Sequence, residues 1–335
     1  MMKKRIVSVL LALCAAAAVW AQNQVTVYAS CEEPLAKEIF DAFTASSGIA
    51  VNFIRLSGGE VIARMEAEKA NPQASIWVGG VGLDHITAKT MDLTTPYKSR
   101  VADNTPAKYR DPENFWIGLY VGPLTFVTNT VRAKELGLPI PTSWADLLKP
   151  IYKGQIRAPS PITSGTAYNL ITTIRYLNNG DEEKTYDYLR KLDANIDQYT
   201  KSGSAPGKSV AIGEIPIAIG YAHDQVKLKV DGKAPVVINV PTEGTGFEIA
   251  SMSMIKGGKE AVNAKKLYDF VLGKEVQTIL AKWYVIPLSK IAPKNENAFA
   301  FSELKLVNAD ILWDGDKANK TRLLDRWNAE IGTKR

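Results

Sequence analysis

The chain has 335 residues, 46% of them hydrophobic and 23% charged, with 24 Gly and 17 Pro spread along its length. At ~150 residues per domain this suggests two domains with sizeable cores, and it excludes a single small module, a disordered chain and a fibrous one. The formal charge of +6 is too dispersed to argue for nucleic acid, and two His (His85, His223) and two Cys (Cys14, Cys31) are too few for zinc ribbons, thiolate iron–sulfur clusters or bis-Cys haem.

Residues 1–21 read as a secretory signal, with basic Lys3-Lys4-Arg5, an apolar run from Ile6 to Val19, and Val19 and Ala21 at the positions a signal peptidase reads. The run is shorter than the ~20 residues that span a bilayer. The sequence therefore predicts an exported, periplasmic protein. Leu11-Ala12-Leu13-Cys14 resembles a lipoprotein box with a bulky Leu13, which leaves membrane tethering through Cys14 as the alternative. Cleavage after Ala21 leaves Cys31 as the only thiol, so stability must come from packing rather than a disulfide.

In chain order, Gln24 to Ser30 alternates as a strand, Pro34 to Ala45 has helical apolar spacing, and Val51 to Leu56 is a second strand leading through Ser57-Gly58-Gly59 into a helix. Ala74 to Val78 is a third strand, ending in Gly79-Gly80 before another helix. This β-α-β-α-β rhythm predicts a parallel sheet covered by helices. Phe115 to Asn129 reads as extended chain broken at Gly122-Pro123, and Pro141-Thr142-Ser143-Trp144 as a helix cap. A second α/β unit follows: a strand at Gly154 to Ala158, helices from Ser164 to about Asn178 and from Glu182 to Leu192, and strands at Ile215 to Gly220 and near Val236 to Val240. Amphipathic helices are expected at Ala261 to Leu272, Glu275 to Lys282 and Asn319 to Ile331. Two such units joined by extended segments imply a cleft, and ligands in open α/β sheets bind beyond the carboxyl ends of the strands.

No G-x-S-x-G, H-E-x-x-H or G-x-G-x-x-G occurs. Gly207-Lys208-Ser209 looks like the end of a P-loop, but the required earlier glycine is Ser202. Ser164-Gly165-Thr166 opens a helix, where free N–H groups and the helix dipole favour an anion; an ordinary N-cap has the same sequence. Ser57-Gly58-Gly59 and Ser202-Gly203-Ser204 share this character, and together the three loops point to an oxyanion-binding cleft. Arg55, inside an alternating strand, reads as solvated. His223-Asp224 reads either as a ligand contact or as a solvated turn; as adjacent residues they do not readily face each other as a catalytic pair.

These segments resemble the periplasmic solute-binding proteins of ABC importers, in the class holding ferric-iron, hexose-phosphate, thiamine and 2-aminoethylphosphonate binders. The similarity runs from VTVYAS through RLSGGEVIARMEAEKANPQASIWVGG, PTSWADLLKPIYKGQI, SPITSGTAYNLI and GEIPIAIGYAHDQ to PTEGTGFEIASMSMIKG. It implies an α/β, two-lobed periplasmic binding protein fold (type II), each lobe a helix-covered sheet with the ligand in the interlobe cleft. Lobe one is expected from 22–125 and 245–300, and lobe two from 126–244 and 301–335.

In ferric members, adjacent tyrosines after the G-E-I strand ligate iron, often with a His or Glu from the end of the first strand. Here Tyr221 is followed by Ala222, and Ser30-Cys31-Glu32-Glu33-Pro34 has no His. Fe(III) wants several anionic oxygens, so it ranks as an alternative, beside phosphonate and thiamine phosphate. The hexose-phosphate binders are similar at the strand-end Ser before E-P-L, at R-L-S-G-G, T-S-G-T and G-Y-x-H-D, and at E-G-T-G-[FY]-E. The resemblance implies a binding protein rather than an enzyme, without cofactor or resident metal, monomeric, and delivering a phosphorylated sugar to an importer permease. The ligand set it implies is Ser30, Cys31, Glu32, Ser57, Gly58, Gly59, Ser164, Gly165, Thr166, Ser202, Ser204, Tyr221, His223, Asp224 and Glu248, with Trp77 and Trp116 as candidates to stack on a sugar ring.

Overall fold

The computed structural model describes residues 23–334; the leader and Cys14 lie outside them. The strands are β1 (Gln24–Ala29), β2 (Ala50–Arg55), β3 (Ile76–Val81), β4 (Thr94–Thr95), β5 (Ile117–Asn129), β6 (Ile156–Pro159), β7 (Ile196–Thr200), β8 (Ile217–Tyr221), β9 (Val236–Asn239), β10 (Phe247–Ile255) and β11 (Ile286–Pro287). The helices are α1 (Glu33–Ser47), α2 (Gly58–Ala67), α3 (Gly82–Thr90), α4 (Thr130–Glu135), α5 (Gly165–Leu177), α6 (Glu182–Asp193), α7 (Ala205–Ala211), α8 (Ala222–Val230), α9 (Ala261–Val271), α10 (Lys274–Lys282), α11 (Ile311–Gly315) and α12 (Lys317–Glu330).

The expected parallel unit is present: β1 pairs in parallel with both β2 and β3, Val27 standing opposite Phe53 and Ile76. The helix between β1 and β2 follows from its sequence. Pro34 sits in the first turn, where its missing N–H costs nothing, Leu35, Ala36, Ile39, Phe40 and Phe43 form the buried stripe, and Gly48 at φ 70° ends it. The first core gathers Val27, Phe40, Ile76, Met252, Leu267 and Leu280. A second gathers Phe126, Tyr152, Ile156, Tyr168, Ile217 and, from α12, Leu323 and Trp327.

The sheet runs in the order β2-β1-β3-β10-β5-β8-β6-β7. Gly122-Pro123 does not break β5 as the sequence suggested. It marks a change of partner: Ile117 to Pro123 pair with β10, and Leu124 to Thr128 pair with β8. One strand thus passes through both lobes. β10 was not foreseen as a strand; its residues after Phe247 are all buried, the polar Glu248, Ser251 and Ser253 included. The cap at Pro141 to Trp144 leads only to a 3₁₀ turn, Asp146–Leu148, with Trp144 packed edge-on against Phe126 at 4.8 Å. Near the C-terminus, α11 lies against α3, where Thr87 Oγ1 donates to Gly315 O at 2.7 Å. Among the described residues no helix is long and apolar enough to cross a membrane.

Candidate functional site

A polar cavity lies between the lobes at the ends of β1, β2, β3 and β8, against the β5–β10 crossing. Ser30, Cys31, Glu32, Ser57, Gly58, Ser164, Gly165, Thr166, Ser204, Tyr221, His223, Asp224 and Glu248 line it, so most of the sequence-derived ligand set converges. Gly59 and Ser202 do not. Gly59 donates its N–H to Thr163 O at 3.1 Å, and Ser202 Oγ accepts from Arg55 Nη2 at 3.1 Å, so both are used in joining the lobes.

Arg55 corrects the sequence reading. It ends β2 and turns into the cavity, where it donates to Cys31 O (3.4 Å), Ser57 Oγ (3.2 Å) and Ser202 Oγ. Strand alternation predicted a solvated side chain because it cannot register a second lobe closing over that face. Trp77 and Trp116 are also corrected: both are core residues outside the cavity. Trp77 is fully buried, stacks on His85 at 3.9 Å and donates to Ser30 Oγ, so it shapes the rim from behind. Besides Tyr221, the aromatic ring lining the cavity is Tyr120, which the sequence did not single out, as it did not Gly80, Val81, Asp84 and Gly203.

At one end stand the N-termini of α2 and α5, with Ser57, Ser164 and Thr166. The Ser164 side chain makes no capping bond to its own helix. The first N–H groups of each helix have no partner within it, and with the helix dipole they supply positive potential.

The other end is acidic. His223 and Asp224 sit in the first turn of α8 rather than in a loop. His223 Nε2 lies 3.5 Å from Asp224 Oδ1 and 3.6 Å from Glu248 Oε1, while its buried Nδ1 has no partner. Gly122 makes this close approach possible, because a β-carbon there would stand 2.7 Å from His223 Nδ1 and 3.1 Å from Glu248 Oε1. Burial lowers the His223 pKa to about 4, so the ring is neutral at pH 7. Burial, then the charge of Glu32, raises Asp224 to about 8. Burial, then Asp224 and Asp84, holds Glu248 well above the carboxylate range. Glu32 goes the other way: burial pushes it up, but Lys208 and the Ser204 hydroxyl outweigh that and bring it below its ordinary value. Burial raises the Cys31 thiol to about 12 and leaves it protonated and unreactive.

The cavity holds about 50 Å³ of space for water-sized occupants and is not sealed from solvent. The arrangement presents donors for an oxyanion at one end and acceptors for hydroxyl or amine protons at the other. Among the described residues no group of three or more His, Cys, Asp or Glu is placed to hold a metal ion.

Residues 87–313 match the family of bacterial extracellular solute-binding proteins. The chain is similar to the periplasmic binding protein AfuA of Actinobacillus pleuropneumoniae, solved with exogenous fructose 6-phosphate bound. That match has 36% identity and a TM-score of 0.89, over 92% of this chain and 98% of the other. It is 27% identical to a putative 2-aminoethylphosphonate-binding periplasmic protein of Salmonella typhi, over 94% of each chain. The apo ferric ion-binding protein A of Pasteurella haemolytica, at 24% identity and a TM-score of 0.74 over 92% of this chain and 98% of that one, shares the fold.

Proposed function

We propose that this chain, which belongs to the bacterial extracellular solute-binding proteins, captures a phosphorylated sugar between its lobes and delivers it to an ABC importer. The observation that carries this reading is the two-ended cleft. A phosphate needs the hydroxyls and helix N-termini at Ser57, Gly58, Ser164, Gly165 and Thr166. Sugar hydroxyls need polar partners, which Glu32, His223 and the carboxyls of Asp224 and Glu248 supply. AfuA, with its bound fructose 6-phosphate, supports the same class of ligand.

Lobe one comprises 22–125 and 245–300, and lobe two 126–244 and 301–335, with the hinge near Phe126 and Glu243. The change of partner along β5 and the packing of α12 in the second core support this division. Exported chains of this kind meet the importer permease in the periplasm. Fe(III) is less well served, because Tyr221 lacks an adjacent tyrosine and burial drives its phenol, like that of Tyr120, further from ionisation.

A second reading has one specific support: an ammonium group suits the acidic end as well as hydroxyls do, and the Salmonella typhi relative is a putative 2-aminoethylphosphonate binder. Calorimetry with glucose 6-phosphate, fructose 6-phosphate and 2-aminoethylphosphonate separates the two. Tight binding of a sugar phosphate supports the first; heat from the aminophosphonate alone replaces it with the second.

A further inference from the structure

Asp84, on the first turn of α3, is fully buried and was not foreseen as part of the site. Its Oδ1 accepts from Lys320 Nζ, on α12, in a pair whose side chains are almost wholly enclosed. Its Oδ2 is buried without a hydrogen-bond partner, and Asp84 is among the residues lining the cavity. Two glycines crowd that oxygen: a β-carbon on Gly58, the first residue of α2, would come within 1.8 Å of it, and one on Gly165, the first residue of α5, within 2.4 Å. A carboxylate oxygen therefore stands between the two helix N-termini that favour an anion.

A buried carboxylate oxygen without a donor is costly, and beside a fully deprotonated oxyanion it adds like-charge repulsion. A solute that brings its own proton to Oδ2 removes both penalties. Phosphate monoesters and phosphonates carry such a proton as monoanions, the phosphomonoester losing it with a pKa of ~6; sulfate esters carry none. The charged and titratable groups facing Asp84 from the surrounding elements are Lys320 on α12, Tyr168 on α5, Tyr221 on β8 and Glu248 on β10, with His85 the next residue along α3. Lys320 is committed to Oδ1. The two phenols and the carboxyl of Glu248 are held toward their neutral forms by burial.

We infer that Asp84 is a specificity-determining residue: its free oxygen accepts the P–OH hydrogen of a singly protonated phosphoryl group, so the cleft takes phosphate monoesters as monoanions and rejects sulfate esters of the same shape. The inference rests on the phosphorylated-ligand reading above and adds the protonation state to it.

The test compares glucose 6-phosphate with glucose 6-sulfate by calorimetry in the unaltered protein and in Asp84→Asn, which keeps an oxygen for Lys320 and turns an amide donor toward the cavity. The unaltered protein should favour the phosphate by ~100-fold or more, and the variant should narrow the gap to ~10-fold or less. Phosphorus NMR of glucose 6-phosphate bound to the unaltered protein at pH 8 decides the matter even if the variant fails to fold: the bound signal should stay at the monoanion position while free ligand resonates as the dianion. A bound dianion, or a sulfate ester held within ~3-fold of the phosphate, overturns the role of Asp84 and leaves the sugar-phosphate reading intact. No binding of either ester overturns both.

Discussion

Lys208 Nζ lies 2.6 Å from Glu32 Oε2, and this pair joins α7 of the second lobe to the N-cap of α1 in the first. The lysine is 57% exposed and the glutamate 13%, so the pair sits at the mouth of the cleft with one partner already out of bulk water. A residue that resembles a P-loop lysine in sequence thus closes the cleft instead of cradling a phosphate. Partly exposed pairs contribute ~1 kcal/mol or less, so Lys208→Ala should weaken ligand binding by about 3- to 5-fold with little change in the melting temperature of the ligand-free protein. Calorimetry and thermal unfolding of the same preparation check this. A loss beyond ~50-fold would place Lys208 on the ligand itself.

Two glycines distinguish the anion end from its sequence look-alike. Gly165→Ala drives a methyl group to 2.4 Å from Asp84 Oδ2, an atom whose side chain Lys320 holds, so binding of a phosphate ester should be lost and the melting temperature should fall. Gly207→Ala meets Leu228 Cδ1 at 3.4 Å and Gln225 Cγ at 3.9 Å, ordinary contacts, and should leave affinity within twofold. Equal effects from the two substitutions would mean that α5 does not present the site.

Ser164→Ala and Thr166→Ala should each weaken binding by ~1–3 kcal/mol, the cost of leaving a charged acceptor without a donor. Ser164 caps nothing, so its loss should barely alter stability. If the double variant binds within twofold of the parent, the Ser164-Gly165-Thr166 turn only starts a helix.

The buried Asp224 makes the ligand-free protein less stable as pH rises. Its pKa is about 8 in the folded chain and 3.8 as a free carboxyl, so between these values the native state holds a proton that the unfolded chain has released. Stability from this group is complete below pH 3.8 and is lost progressively as pH climbs to about 8. His223, lowered to about 4, acts in the opposite sense between about 4 and 6.5, which masks Asp224 in the unaltered protein over that window. Comparison with Asp224→Asn removes the ambiguity. The melting temperature of the variant relative to the parent should rise steadily with pH up to about 8 and then level off. A difference independent of pH would show that Asp224 is ionised throughout.

Closure itself is testable by small-angle scattering of the protein with and without ligand. If the lobes are hinged near Phe126 and Glu243, the ligand-free form in solution should be the more extended, and saturating ligand should reduce the radius of gyration. No change on saturation would count against hinged lobes.

The parallel unit β1-α1-β2-α2-β3 was legible because its apolar periodicity and glycine turns are local, and the Ser-Gly loops were legible because they sit at helix starts. What the sequence concealed depends on chain brought from far away. Arg55 looks solvated until Ser202 of the other lobe meets it, and Asp84 looks like an ordinary first-turn acid until Lys320 covers it. Trp77 and Trp116 have the right chemistry for stacking on a sugar, but the core took them, and Tyr120 reaches the cavity only because β5 passes through both lobes.

The measurement that bears most directly on the central claim is calorimetry of glucose 6-phosphate, inorganic phosphate and ferric citrate on His223→Ala, Asp224→Ala and Tyr221→Phe. If the acidic end receives sugar hydroxyls, the first two variants lose most of their affinity for the sugar phosphate, while Tyr221→Phe, which keeps the ring and gives up its hydroxyl's contacts with Asn169 Oδ1 and Thr166, loses far less. Ferric citrate binding that collapses only in Tyr221→Phe, with no heat from either phosphate, would contradict the account.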